Sequence, residues 1–260
     1  MPVVILCGGR GTRLREETDF RPKPMIEIGS KPLLWHIMKI YAHYGYSDFV
    51  LCLGYKGEMI KDYFLNYEVL QSDFTIELGN RHNIRLHTPP HEHGWKITLA
   101  HTGLNAMTGA RVKLIERYIT SDLFMLTYGD GLANVDLTKL LEFHRSHGKI
   151  GTVTGVYPPS RFGELDINGN QVIKFSEKAP IFGGRINGGY FVFDRRIFSY
   201  ITTDDNCIFE REPLTQLAAD GELMIFTHDG FWQCMDTLRD MELLCQHWES
   251  GKAEWKLWKE

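Results

Sequence analysis

Short apolar runs and amphipathic stretches alternate along the chain from its first residues. Val3-Val4-Ile5-Leu6 is apolar throughout and rich in β-branched residues, the pattern of a strand buried on both faces. Pro32 suits the first turn of a helix through about Tyr44, with Leu33, Ile37, Ile40, Tyr41 and Tyr44 at helical spacing. Asp48-Phe49-Val50-Leu51-Cys52-Leu53 predicts a second strand. The segment from about Lys56 to Asn66 predicts a second helix, with Ile60, Tyr63 and Phe64 inward. Strand, helix, strand, helix in succession predicts a doubly wound α/β sheet.

Between about Tyr67 and His101 the rhythm changes. Phe74 to Leu78, Ile84 to His87 and Lys96 to Ala100 alternate over short distances and predict a small β insertion. The loop among them carries His91-x-His93, half of a metal-ligand spacing with no further Cys or His to complete it, and reads as solvated. The α/β rhythm then resumes. Strands are predicted at Phe124 to Thr127, Thr152 to Tyr157, Ile186 to Phe193 and Leu223 to Phe226. Helices are predicted around Leu137 to His144 and from about Glu212 to Asp220. Asn168-Gly169 between two alternating runs is a hairpin signal. Gly230 to Thr237 opens a last helix through about Ser250, for which Asp236 is well placed as N-cap. The tail Trp255-Lys256-Leu257-Trp258 is too apolar to be free, and is expected to pack on this chain or on a neighbouring subunit. Residues 237–260 therefore form a C-terminal helix and tail of a single domain spanning 1–260.

At 260 residues the chain is long enough for one sizeable α/β domain and short for two. A net charge of −4 offers no general attraction to nucleic acid or anionic membranes, so neither is an expected partner and any anion site must be local. No apolar run is long enough to span a bilayer, and a core strand beginning at Val3 leaves no room for a signal peptide. Cys7, Cys52, Cys207, Cys234 and Cys245 are odd in number and scattered, a pattern of reduced thiols that points to the cytoplasm.

Candidate chemistry begins where the first strand ends. Leu6-Cys7-Gly8-Gly9-Arg10-Gly11-Thr12-Arg13-Leu14 is a glycine turn carrying cations, followed by Pro22-Lys23-Pro24. Backbone N–H groups free of Cβ atoms, with Arg13 and Lys23 nearby, are suited to a polyphosphate. The Walker pattern is absent, and Leu14 occupies the third glycine position of the dinucleotide fingerprint, which argues against a nicotinamide or flavin enzyme. Further along, Tyr128-Gly129-Asp130-Gly131 closes a predicted strand, where ligands of open α/β sheets bind.

Gly8-Gly9-x-Gly11-Thr12-Arg13-Leu14 with Pro22-Lys23-Pro24 resembles the signature of the sugar-1-phosphate nucleotidyltransferases, and similar motifs follow in order over essentially the whole chain. The resemblance implies a single-domain, Rossmann-like mixed sheet flanked by helices, of the nucleotide-diphospho-sugar transferase type. It also implies that Gly129 and the loop from Leu6 to Arg13 hold nucleotide phosphates, with Arg13, Lys23 and Lys178 catalytic. Asp130 and Asp236, each at a strand end, would be Mg²⁺ ligands. The loop Thr102 to Arg111 would wrap the base, through Thr108 and Arg111. Its Ala-Met-Thr-Gly-x-Arg form resembles the cytidylyl branch, in which backbone carbonyls and Arg111 would distinguish cytosine.

Glu177-Lys178 resembles the family's Glu-Lys-Pro segment, with Ala179 inserted before Pro180, and would meet the sugar phosphate; Asn187 and Gly188 would meet the hexose. The substrates implied are CTP and glucose 1-phosphate, and the product a precursor of surface-polysaccharide deoxyhexoses. Uridylyl or thymidylyl transfer, or a non-catalytic nucleotide-sugar sensor on the same fold, are the alternatives. A homo-oligomer is expected.

Overall fold

The computed structural model describes residues 1–259 except 80–82, 89–91, 159–163, 169–170 and 177–183; for 164–168 and 174–176 it describes the backbone alone. Seven strands form one sheet. They are β1 (Val3–Cys7), β2 (Asp48–Leu53), β3 (Lys96–His101), β4 (Leu123–Tyr128), β5 (Gly151–Val156), β6 (Ile186–Asp194) and β7 (Leu223–His228), in the spatial order β7-β5-β6-β4-β1-β2-β3. β1 runs parallel to β2 and β4, β2 to β3, and β5 to β7. β6 is antiparallel to both its neighbours. The α/β expectation is met, with a mixed sheet.

Parallel pairing needs crossovers, and helices lie in the connections between strands: α1 (Leu33–His43), α2 (Gly57–Leu65), α3 (Thr108–Leu114), α4 (Leu137–His147) and α5 (Glu212–Ala219), with α6 (Leu238–Glu249) following the last strand. Both sheet faces are covered, which is why the strands read as continuous apolar runs. On one side Val3, Ile5 and Leu51 pack with Leu33, Ile37, Ile40 and Tyr41 of α1; on the other Val4, Val50 and Leu126 pack with Val112, Ile115 and Phe193. Leu14, in the position a dinucleotide fold would give to glycine, is fully buried in the first of these layers.

Three expectations are corrected, and one alternative is decided. Lys96–His101 is no part of an insertion: it pairs with β2 as the sheet edge, and only Phe74–Ile76 and Ile84–Leu86 form a separate hairpin. A short alternating run looks the same in either place, and its neighbour decides. The base loop, expected to run from Thr102 to Arg111, already turns into a helix at Thr108, α3, which ends at Leu114. The N-cap of α6 is Thr237, in a capping box with Asp240, so Asp236 is released from that duty. The tail packs on its own chain: Trp255 is fully buried and stands 5.4 Å from Phe231 between ring centroids, while Trp258 meets Trp35 edge-on at 5.7 Å. It therefore gives no support to an interface between subunits.

The predicted hairpin around Asn168 is present as the antiparallel pair Glu164–Asn168 and Gln171–Ser176. All five cysteines are free thiols. Burial pushes that of Cys52 up to about 12, which keeps it neutral. Among the described residues no helix is long and apolar enough to cross a membrane.

Candidate active site

β1 and β4 end side by side at the carboxyl edge of the sheet, and the chain leaves each through glycine. Gly11 takes φ +62°, a left-handed turn that a side chain would strain. This turn lets the Leu14 N–H close on the Gly11 carbonyl at 3.0 Å, and Leu14 then anchors the loop in the core. From β4, Gly129 donates its N–H to Leu6 O at 3.0 Å, holding Asp130 at the rim.

The resulting cavity of about 240 Å³ is lined by Leu6, Cys7, Gly9, Gly11, Thr12, Arg13, Lys23, Pro24, Gly129, Asp130 and Asp236. Ten of these were expected from sequence, from four distant segments. At its centre the Lys23 ammonium donates to Asp130 Oδ2 at 2.8 Å and to Asp236 Oδ1 at 2.6 Å. Arg13 Nη1 donates to the other oxygen of Asp236 at 2.7 Å. Burial by itself would lower the Lys23 ammonium, but the Asp130 charge and both carboxylate hydrogen bonds outweigh it and hold the group above its ordinary value. Burial likewise opposes ionisation of Asp236, and the hydrogen bond and charge of Lys23, with Arg13, hold it below.

The two aspartates suit a divalent cation. Asp130, Asp236 and Cys234 each offer a donor atom within 4.8 Å of the others, and the carboxylates already converge on one positive charge, the Lys23 ammonium. Hard oxygen donors match Mg²⁺. Cys234, which the sequence did not point to, has its thiol raised by burial and by the Asp130 charge, and stays protonated.

Arg111 lies beneath the glycine loop, nearly fully buried. Its Nη1 donates to Thr102 Oγ1 and Gly103 O, both at 2.8 Å, and to Leu53 O at 3.3 Å. Its Nη2 donates to Gly8 O at 3.1 Å and makes a long 3.5 Å contact with Leu104 O. Gly8 is glycine for this reason: a Cβ there would stand 2.2 Å from Arg111 Nη1. Arg111 thus ties the phosphate loop to the base loop, as does Arg10, which reaches Asn105 Oδ1 at 3.2 Å.

Thr108 and Asn187 lie outside the cavity lining, joined by two residues that sequence reasoning missed. Glu210 accepts from Thr108 Oγ1 and from the Tyr128 hydroxyl, each at 2.6 Å, and Asn187 Nδ2 donates to that hydroxyl at 3.0 Å. Tyr128, a polar aromatic just before Gly129-Asp130, was a legible signal; Glu210, just before α5, had none. The Gly188 carbonyl is taken by Trp232 Nε1 at 2.7 Å. Glu177, Lys178 and His91 lie outside the described residues.

A mixed sheet with a glycine turn, two strand-end aspartates and a lysine between them defines a nucleotidyl-transferring enzyme. The family model described as Nucleotidyl transferase matches residues 2–233, and the chain belongs to that family. The glucose-1-phosphate cytidylyltransferase of Salmonella typhimurium is 49% identical over 260 residues, the whole of both chains. A Bacillus subtilis protein named "Probable glucose-1-phosphate cytidylyltransferase" is 45% identical over 258 residues, 99% of this chain and all of that one. Among solved structures, HddC from Yersinia pseudotuberculosis complexed with GMP-PN superimposes with a TM-score of 0.68 at 25% identity, covering 95% of this chain and 99% of its own.

Proposed function

We propose that the chain transfers the cytidylyl group of CTP to glucose 1-phosphate, giving CDP-glucose and pyrophosphate. The observation that carries the reaction type is the Lys23 ammonium held between Asp130 and Asp236 at the mouth of the glycine loop. The substrates follow from the full-length likeness to proteins named for that activity.

A phosphate oxygen of the sugar phosphate attacks the α phosphorus, and the bond from that phosphorus to the oxygen bridging the α and β phosphates breaks. The second pKa of a phosphate ester is about 6, so the nucleophile is already anionic and needs no general base. What the protein must supply is in-line placement and neutralisation of mutually repelling anions. The N–H groups of the loop Gly8 to Thr12, with Arg13, hold the β and γ phosphates. Lys23 leaves its carboxylates to meet the α phosphate, and Lys178 holds the incoming phosphate beside Glu177, with Asn187 and Gly188 on the hexose. Asp130 and Asp236 hold Mg²⁺, which when bound offsets phosphate charge.

Thr108 and Arg111 stand on the base side. The Arg111 Nη2 proton on the long contact to Leu104 O turns to an acceptor of cytosine in this reading, and the carbonyls that it holds in place receive the exocyclic amine. A cytoplasmic homo-oligomer supplying surface-polysaccharide synthesis fits this reading.

A matrix of CTP, UTP and dTTP against glucose 1-phosphate and other hexose 1-phosphates, read by pyrophosphate release, tests the assignment. CTP with glucose 1-phosphate is expected to lead every other pair by at least about a hundredfold in kcat/KM, the discrimination open to a site that leaves polar groups unpaired with the wrong base. Faster turnover of UTP or dTTP would replace the cytidylyl assignment. No pyrophosphate from any pair would favour the sensor.

A further inference from the structure

Every proton direction in the hydrogen-bonded chain across the site mouth is fixed by its chemistry. Phe209 N–H donates to Thr108 Oγ1 at 2.9 Å, so the Thr108 hydroxyl spends its own proton on Glu210 Oε2 at 2.6 Å. The Glu210 carboxylate accepts only, so the Tyr128 hydroxyl donates to Oε1 at 2.6 Å. The Tyr128 oxygen then accepts from Asn187 Nδ2 at 3.0 Å. Asn187 is oriented from its other end too, since Oδ1 accepts the Gly189 N–H at 2.8 Å. A carboxamide held in this way has one Nδ2 proton left over, and Asn187 is exposed.

We infer that Glu210 is a positioning residue for the sugar 1-phosphate, acting through the Tyr128 hydroxyl to aim the remaining Asn187 N–H at a hexose oxygen. The inference rests on the proposed sugar contact of Asn187 and deepens it. Glu210 need not touch the sugar. Its Oε1, which accepts only, makes the Tyr128 hydroxyl a committed donor, and Thr108 keeps the carboxylate in register. The relay also joins the base side of the site, at the start of α3, to the sugar side, at the start of β6.

Steady-state kinetics with each substrate varied in turn test this. Tyr128→Phe keeps the ring and removes only the hydroxyl. It is expected to raise KM for glucose 1-phosphate roughly three- to tenfold, the worth of one net hydrogen bond, with KM for CTP and Tm unchanged. Glu210→Ala is expected to raise KM for glucose 1-phosphate by the same factor. Glu210→Gln, whose amide oxygen still accepts from Tyr128, is expected to stay within about twofold of wild type.

The double variant Tyr128→Phe/Glu210→Ala should be no worse for glucose 1-phosphate than either single one, because both break the same relay. An unchanged KM for glucose 1-phosphate in Tyr128→Phe, or losses that multiply in the double variant, would overturn the inference. A wrong substrate pair shows instead in the wild-type protein, as no turnover of CTP with glucose 1-phosphate, and would take the relay's ligand with it.

Discussion

Lys23 and Asp236 stand 213 residues apart in the chain and 2.6 Å apart in space. The same ammonium holds Asp130, so one cation keeps two carboxylates from repelling each other in a pocket where neither is more than about a third exposed. Lys23→Met leaves them facing one another. Turnover is expected to fall by about 10²–10³, the usual effect of removing one charge-stabilising donor. Stability falls by roughly 2–3 kcal/mol, less than for a fully buried pair because Asp130 is partly exposed. Denaturation with and without MgCl₂ checks the carboxylate pair independently of activity. The variant is expected to gain more in Tm from magnesium than wild type does, and an equal gain would remove the two aspartates from the metal assignment.

Gly8 and Gly9 are neighbours with different reasons to be glycine. A Cβ at residue 8 would meet Arg111 Nη1 at 2.2 Å, whereas at residue 9 nothing lies within 4 Å and φ is not positive. Gly8→Ala is expected to cost about 1–3 kcal/mol, as overpacking does, and to lower Tm. Gly9→Ala is expected to leave Tm unchanged while raising KM for CTP, because its methyl group points into space that the triphosphate needs. Equal Tm values for both variants would contradict this division.

Arg111→Lys keeps a charge and loses the fork that reaches five acceptors. KM for CTP is expected to rise by about 10- to 100-fold and the preference for CTP over UTP to narrow, since the base loop loses its tie to the Gly8 carbonyl. Kinetics with both triphosphates measure this; an unaltered CTP/UTP ratio would leave Arg111 a structural tie alone.

His36 makes folding stability pH-dependent. It is fully buried, with Nε2 on the Ile28 carbonyl at 2.9 Å and Nδ1 accepting from Trp255 Nε1 at 3.4 Å. Burial lowers its pKa to about 4, and a proton on Nδ1 would face the Trp255 N–H. The folded value lies below the unfolded one, so the unfolded chain binds the proton first. Stability from this residue is complete above about pH 6.5 and is lost as pH falls towards 4. The loss is on the order of 2–3 kcal/mol by pH 4.5. Chemical denaturation at pH 7 and 4.5 is expected to show a smaller acid loss in His36→Gln than in wild type; identical losses would mean that His36 does not titrate with folding.

Trp255→Ala empties a fully buried indole site, at a cost of about 3–5 kcal/mol and a Tm lower by roughly 6–20 °C. Sedimentation is expected to give the same subunit number as wild type, because the tail packs against Trp35, Phe231 and Trp248 of its own chain. Dissociation of an assembly would return the tail to an interface role.

Local pattern was enough for most of the architecture. Buried parallel strands must be continuously apolar and their helices amphipathic, so β1, β2, β4 and the helices between them were legible within a few residues. The glycine turn, Lys23 and the two strand-end aspartates were also singled out from sequence, and the structure brings them to one cavity. Pattern failed where partners are distant. Whether Lys96–His101 joined a hairpin or the main sheet depended on β2, and whether the tryptophan tail was internal depended on a groove built by α1 and α6.

Arg111 and Asp236 show the limit best. From sequence the first was a base reader and the second equally an N-cap. Only the packed chain decides that Arg111 spans four carbonyls and that Thr237 takes the cap. Glu210 had no sequence signal at all, since a lone carboxylate before a helix is an ordinary surface residue. Its role exists only once folding brings Thr108 and Tyr128 to its carboxylate and Asn187 to the Tyr128 hydroxyl, and hydrogen bonds across such separations leave no local periodicity to read.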